Sequence, residues 1–357
     1  MNTFKMNAAA INVGAVVPQE GLARLLALHV PALDGWRGLA IAGVLISHFI
    51  GVERAALGRL GVDLFFVLSG LLMSNILFVK RTNLLLFYQR RISRIFPALW
   101  LFIATVFVGA WAGGVAVPWR ELLPTLFFVR SYVPAVPDIW HTSLPIGHLW
   151  SLNIEEHCYL LMGLLTLVPI FSGRRAWIAL IGFGFLSMGL RLLPVYAPGW
   201  LEPLGGNMVG IRTETASSHL LISAGYLLVR EKFEPYVAPW APPLALGLGI
   251  FCYTHWAPWW GMALVAPFLF AFAVNHLHQA AKHFTVALAW RPLRMLGIWS
   301  FSIYLWQQPF YLWRAEFPVG MALVLALLMG LLSFYWVEQP ARDWLNTRWA
   351  KKPTTSA

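Results

Sequence analysis

Charge is scarce in this sequence. Only 11% of its 357 residues are Asp, Glu, Lys or Arg, against about a quarter in ordinary soluble domains. Acids are the rarer sign, 15 against 26 cations. Cysteine is nearly missing: Cys158 and Cys252 both lie in apolar runs, so no disulfide framework is implied and the redox compartment stays unread. The chain also lacks internal repeats, low-complexity linkers and a glycine-rich phosphate loop. His276, His278 and His283 have no metal-ligand spacing with other residues, so no metal is expected. These absences exclude a disulfide scaffold and a nucleotide-loop enzyme.

Apolar surface is what the chain has in excess, with 59% hydrophobic residues and 24 Phe, 19 Trp and 10 Tyr. That composition implies a polytopic membrane protein of the all-α class, because a lipid-embedded helix satisfies its own backbone groups. A net charge of +11 would suit nucleic acid, but the cations sit in short loops between apolar runs. Membrane lipid, not nucleic acid, is the expected partner.

Apolar runs place about ten spans near 36–52, 61–79, 97–113, 148–171, 176–193, 216–229, 241–254, 259–276, 295–313 and 319–337. The proline-rich stretch 114–147 holds a short apolar piece, 122–129, that reads either as an eleventh crossing or as a re-entrant segment. Ten crossings with both termini cytoplasmic put eighteen cations inside and seven outside; an eleventh would carry Arg174 and Arg175 to the wrong side. The expected organisation is a cytoplasmic N-terminal arm over 1–32, with a short interfacial helix at 22–29, a membrane domain over 33–342, and a short basic cytoplasmic tail over 343–357.

The chain is organised around LDGWRGLAIAGVLISHFI, residues 33–50, an apolar helix interrupted by Arg37 and His48. Eleven residues at about 100° each return a helix to within about 20° of its starting direction and rise about 16 Å. A cation and an imidazole are thus expected to face one cavity at two depths. Ionisable groups are costly in a bilayer and usually face an interior or a water-filled path.

Further stretches join it: GVDLFFVLSG at 61–70, FYQRRISRIFP at 87–97, HLWSLNIEEHCY at 148–159, SFSIYLWQQP at 300–309 and WVEQPAR at 336–342. Together and in this order they resemble the integral-membrane acyltransferase-3 family over about residues 33–342. The resemblance implies a bacterial cytoplasmic (inner) membrane enzyme that transfers an acyl group, most often acetyl, from cytoplasmic acyl-CoA to a hydroxyl of a glycan, lipid or related acceptor. Acyl-CoA is then a co-substrate, with no permanently bound cofactor. Carried over by position, His48 is the catalytic residue, Arg37 its spaced partner and Glu155 the acid of the WSLxxE pattern. Two departures are Gln307, where many relatives have histidine after YLW, and His157-Cys158, where Gln-Phe is common.

The residues suit that chemistry. A near-neutral imidazole can take the hydroxyl proton, worth about 10²–10⁴ in rate. Glu155 can orient His48 as the acid does in a Ser-His-Asp triad, or merely cap a helix. Neighbours on a helix point about 100° apart, so Glu156 is not expected to share its site. Arg90, Arg91 and Arg94, with Arg37 deeper, suit the phosphates of coenzyme A; the same run also serves as a lipid contact and topology signal. For substrate binding the candidates are Asp63, Ser69, Trp150, Tyr304 and Gln307. Against these stand a helix start for Asp63, close helix packing for Ser69 and an aromatic belt around Tyr304. A transporter or flippase of an acyl donor or glycolipid is the rival class, since broken helices with buried charge fit it too. The acceptor's identity is not written in the sequence, and a homo-oligomer stays open.

Overall fold

The computed structural model describes residues 19–117, 119–133, 144–196, 206–313 and 318–350. Among them every regular element is helical, and the one strand-like feature is an isolated bridge between Ala55 and Thr254. The helices are α1 (Gln19–Leu45), α2 (Leu57–Ser74), α3 (Leu84–Ala112), α4 (Leu122–Leu126), α5 (Trp150–Leu167), α6 (Ala176–Tyr196), α7 (Thr213–Ala216) and α8 (Ser218–Val229). They continue as α9 (Ala241–Phe251), α10 (Ala266–Asn275), α11 (Lys282–Leu288), α12 (Arg291–Ile298), α13 (Ser300–Leu312), α14 (Val319–Ser333) and α15 (Gln339–Ala350).

Among the described residues four helical stretches are long and apolar enough to cross a membrane: Leu57–Val79, Leu84–Ala112, Ala176–Leu193 and Val319–Ala350. The ten apolar runs expected from the sequence all fall on helical segments, but the number of crossings rests on the loop-charge pattern. Three local expectations change. The helix over 22–29 is not separate: α1 runs through it and through Pro31 without a break. The arginine-rich stretch before Pro97 belongs to the helix that follows, since α3 starts at Leu84 with Asn83 accepting the Leu85 N–H at 2.8 Å as its cap. Residues 122–129 are no crossing helix. Five residues of α4 rise about 7.5 Å against the roughly 30 Å of a hydrocarbon core, and Phe128 then turns the chain at a φ of 60°.

α2 is the central helix, with side chains in both large apolar clusters. It meets α1 where the Trp36 indole donates to the carbonyl of Leu64 at 3.0 Å. The two glycines of LDGWRG make a different contact. A Cβ on Gly35 would lie 1.7 Å from the carbonyl oxygen of Leu288, and one on Gly38 2.0 Å from that of Leu293. The motif is thus a flat face on which the end of α11 and α12 lie, and that contact fixes where Arg37, between the glycines, can point. At the far end α15 returns against α3, where Ser93 donates to Asn346 at 3.1 Å; the tail expected after 342 is helical to Ala350.

Candidate active site

His48 sits in a single π turn, Ile46–Ile50, that continues α1. The sequence signals no such turn, because its wider i→i+5 bonding leaves the apolar pattern intact. It changes the phase of the helix beyond Leu45, so the simple eleven-residue argument does not hold. The imidazole stacks on Tyr311 with ring centroids 4.2 Å apart and 23° between planes. Its Nδ1 lies 2.6 Å from Oε1 of the buried Gln307. The Gln307 amide nitrogen donates to Gln308 at 3.3 Å, which turns its oxygen toward the histidine. An amide oxygen only accepts, so a ring proton sits on Nδ1, and in the neutral ring Nε2 carries the lone pair. Nε2 lies close to α2: a Cβ on Gly58 would stand 3.8 Å from it.

Arg37 lines a cavity of about 770 Å³, counting its open mouth, together with Ser69, Arg91, Arg94, Glu155 and Tyr304. The remaining wall is mainly apolar, from Val62, Phe65 and Leu72 of α2, Ile95 of α3, Leu152 of α5 and Phe301 of α13. His48 is not among the lining residues, so the expectation that Arg37 and His48 look into one cavity is replaced by a longer arrangement. Two helix faces connect them. On α2, Gly58 lies against His48 while Val62, Phe65, Ser69 and Leu72, spaced three or four residues apart, line the cavity. On α13, Ser300 and Tyr304 line the cavity while Gln307 and Tyr311 on the same stripe hold the imidazole.

Glu155 does not follow its triad-like expectation. It accepts from the Ser69 hydroxyl at 2.8 Å and from Arg91 Nη2 at 3.1 Å. Arg91 Nε donates to Glu156 at 3.0 Å, and its guanidinium lies 3.6 Å from the Tyr159 ring centroid. Glu155 and Glu156, expected to serve different sites, thus grip one arginine whose side chain is 8% exposed. The arginines expected to act as one phosphate patch divide accordingly. Arg90 is exposed on the outer side of α3, Arg91 is committed to two carboxylates, and Arg37 and Arg94 line the cavity. Arg37 has Asp34 at 3.5 Å.

Asp63 is fully buried away from the cavity lining and binds Arg59. Its Oδ2 accepts from Arg59 Nε at 2.8 Å and from the Tyr253 hydroxyl at 2.7 Å, with His219 3.6 Å from Oδ1. Trp150 packs edge-on against Phe66 and under Arg59, its ring centroid 5.1 Å from the guanidinium carbon. Tyr304 donates to the His148 carbonyl at 2.8 Å and shares a 2.7 Å bond with Ser151. Sequence reasoning missed Ser151, Tyr311, Gly58 and Arg59. The α-helical spacing of Tyr304, Gln307 and Tyr311 is the one signal that pointed to Tyr311.

A family model described as an acyltransferase domain matches residues 30–337. The chain is similar to the putative peptidoglycan O-acetyltransferase YrhL of Bacillus subtilis, 27% identical over 358 residues that cover 88% of this chain and 55% of that protein. It is also similar to the O-acetyltransferase OatA of Staphylococcus aureus, 26% identical with 88% and 57% covered. The peptidoglycan O-acetyltransferase OatA of Listeria monocytogenes is 28% identical, with 88% and 56% covered. The chain therefore spans just over half the length of these relatives. No solved structure matches.

Proposed function

The chain belongs to the integral-membrane acyltransferase-3 family, and from that premise we propose that it is a membrane O-acyltransferase with acyl-CoA as donor and a glycan, glycolipid or related hydroxyl as acceptor. Acetyl is the acyl group we favour, in keeping with the O-acetyltransferases it is similar to. Ten crossings with both termini on the cytoplasmic side of a bacterial inner membrane place Arg37 toward the interior and His48 toward the outer half.

In this reading Arg37 and Arg94 hold the donor's phosphates at the cavity, where guanidinium matches phosphate oxygens in a fork. The pantetheine arm runs between the faces of α2 and α13 toward His48. The acceptor hydroxyl gives its proton to Nε2 as its oxygen bonds to the thioester carbonyl carbon. The tetrahedral intermediate collapses with loss of the carbon–sulfur bond, and the leaving thiolate takes the proton back from the imidazolium. Ester and free thiol are the products, and the enzyme is unchanged. Gln307 holds Nδ1–H throughout, so Nε2 is the basic nitrogen in every turnover.

The observation that carries the proposal is the 2.6 Å contact between His48 and Gln307 at the end of a face that begins in an arginine-lined cavity. The test is transfer of labelled acyl groups by the purified protein in nanodiscs. His48→Ala should lose about 10²–10⁴ in rate, the worth of a positioned base, while still binding acyl-CoA. Normal turnover in that variant ends the proposal, and donor movement across the bilayer without ester formation would establish transport instead. A burst of thiol release ahead of ester formation would mark an acyl-histidine intermediate in place of direct attack.

A further inference from the structure

We propose that Arg59 forms an anion-binding subsite for the acceptor, taking a carboxylate or phosphate group carried beside the hydroxyl that is acylated. The proposal rests on the acyltransferase reading above and adds to it the chemical class of acceptor. Its first support is position. Arg59 directly follows Gly58, whose Cβ position lies 3.8 Å from Nε2 of His48, so its backbone belongs to the same helical turn while its side chain leaves that turn about 100° away, toward Asp63 and Trp150. In this proposal the anion held there is carried by the acceptor whose hydroxyl reacts at His48.

The second support is how the side chain is held. Nε is fixed on the fully buried Asp63, and Asp63 is itself held by the Tyr253 hydroxyl. One face of the guanidinium lies over Trp150. Among the described residues neither terminal nitrogen has a hydrogen-bond partner, and the side chain keeps 18% of its exposure. A guanidinium locked by its Nε and its plane, with two donors left at the open edge, is pre-organised for an oxyanion.

Charge count agrees. Arg191 stands within electrostatic range of both Arg59 and Asp63, so a second guanidinium adds to the positive field around the one carboxylate that Arg59 contacts among the described residues.

The test compares three acceptors with the purified full chain in nanodiscs: a methyl hexuronate glycoside, a hexose 1-phosphate and a neutral methyl hexoside. Binding without donor is read from tryptophan fluorescence, and ester formation with labelled acetyl-CoA. The wild-type protein should bind one or both anionic sugars more tightly than the neutral one. Arg59→Gln should weaken that anion roughly 10- to 100-fold, the worth of hydrogen bonds to a charged group, and leave the neutral sugar unchanged. Arg59→Lys keeps the cation beside Asp63 but loses the fork, so it carries the test if the glutamine variant does not fold; a several-fold loss confined to the anionic sugar is expected. Which anion responds identifies the group as carboxylate or phosphate. Equal binding of all three sugars, or equal loss of all three in the variants, overturns the subsite. Arg59-dependent anion binding with no ester formed from any acyl-CoA would instead leave the subsite standing and sink the acyltransferase reading.

Discussion

Nδ1 of His48 lies 2.6 Å from Oε1 of Gln307, 259 positions further along the chain. The pair joins the π turn after α1 to α13, and its chemistry is one-sided: the amide oxygen accepts and the ring donates. A carboxylate in that place would stabilise a charged imidazolium strongly. An amide orients the ring without placing a charge beside it, which suits a base that must give its proton back to the thiolate within each cycle.

Gln307→Leu should therefore lower kcat, by between roughly ten-fold and the 10²–10⁴ that the base itself supplies, with donor KM little changed. Gln307→Glu keeps an acceptor for Nδ1–H and should retain far more activity than the leucine variant. Steady-state kinetics on the three proteins decides it. Equal activity of leucine and glutamine at this position would show that the contact does not position the base.

Gly58 is the second handle on the same nitrogen. A Cβ there would stand 3.8 Å from Nε2 and 3.1 Å from the Ser47 hydroxyl. Gly58→Val should fill the space an acceptor hydroxyl needs, costing at least ten-fold in transfer, while acyl-CoA binding at the arginine end is kept. A valine variant with unchanged acceptor kinetics would place the hydroxyl on another side of the ring.

Much of this site was legible in the sequence, and what was not has definite causes. Arg37, Ser69, Glu155 and Tyr304 were identified one by one and do line a single cavity. Their pairings were not legible. Glu155 binds Ser69 and Arg91 across separations of 86 and 64 residues, distances at which no spacing rule operates. The eleven-residue step from Arg37 to His48 failed for a local reason, the π turn, which alters phase without altering hydrophobic pattern. Glu155 and Glu156 were separated by the 100° rule, but Arg91 is long enough to reach both with different nitrogens of one fork. The helix expected at 22–29 and the span expected from 97 are parts of longer helices that run through Pro31 and Pro97.

The division among the arginines gives a contrast within one motif. Arg37→Ala and Arg94→Ala should each raise the KM for acyl-CoA about 10- to 100-fold, equivalent to about 1.5–3 kcal/mol for hydrogen bonds to a charged group. Arg90→Ala, exposed on the far side of α3, should leave it unchanged. Donor KM measured at low and high salt checks this, since partly buried pairs are screened less than surface ones. An Arg90 variant as impaired as Arg37 would move the donor entrance to the surface of α3.

Arg91 is expected to act through stability and not through substrate. Its side chain is 8% exposed, and the carboxylates it neutralises, Glu155 and Glu156, are 16% and 15% exposed. Removing the cation leaves two neighbouring negative charges with little solvent, and losing one partner of a buried pair costs about 3–5 kcal/mol. Arg91→Ala should accordingly lower the thermal midpoint of the detergent-solubilised protein markedly. The triple variant Arg91→Met, Glu155→Gln, Glu156→Gln removes the charges together and should recover much of that loss. Activity should not return with it, because Ser69 and the cavity wall lose the carboxylate they face. Recovery of stability without recovery of transfer separates the two roles of Glu155. An Arg91→Ala protein as stable as the wild type but weak in acyl-CoA binding would return this arginine to the donor site.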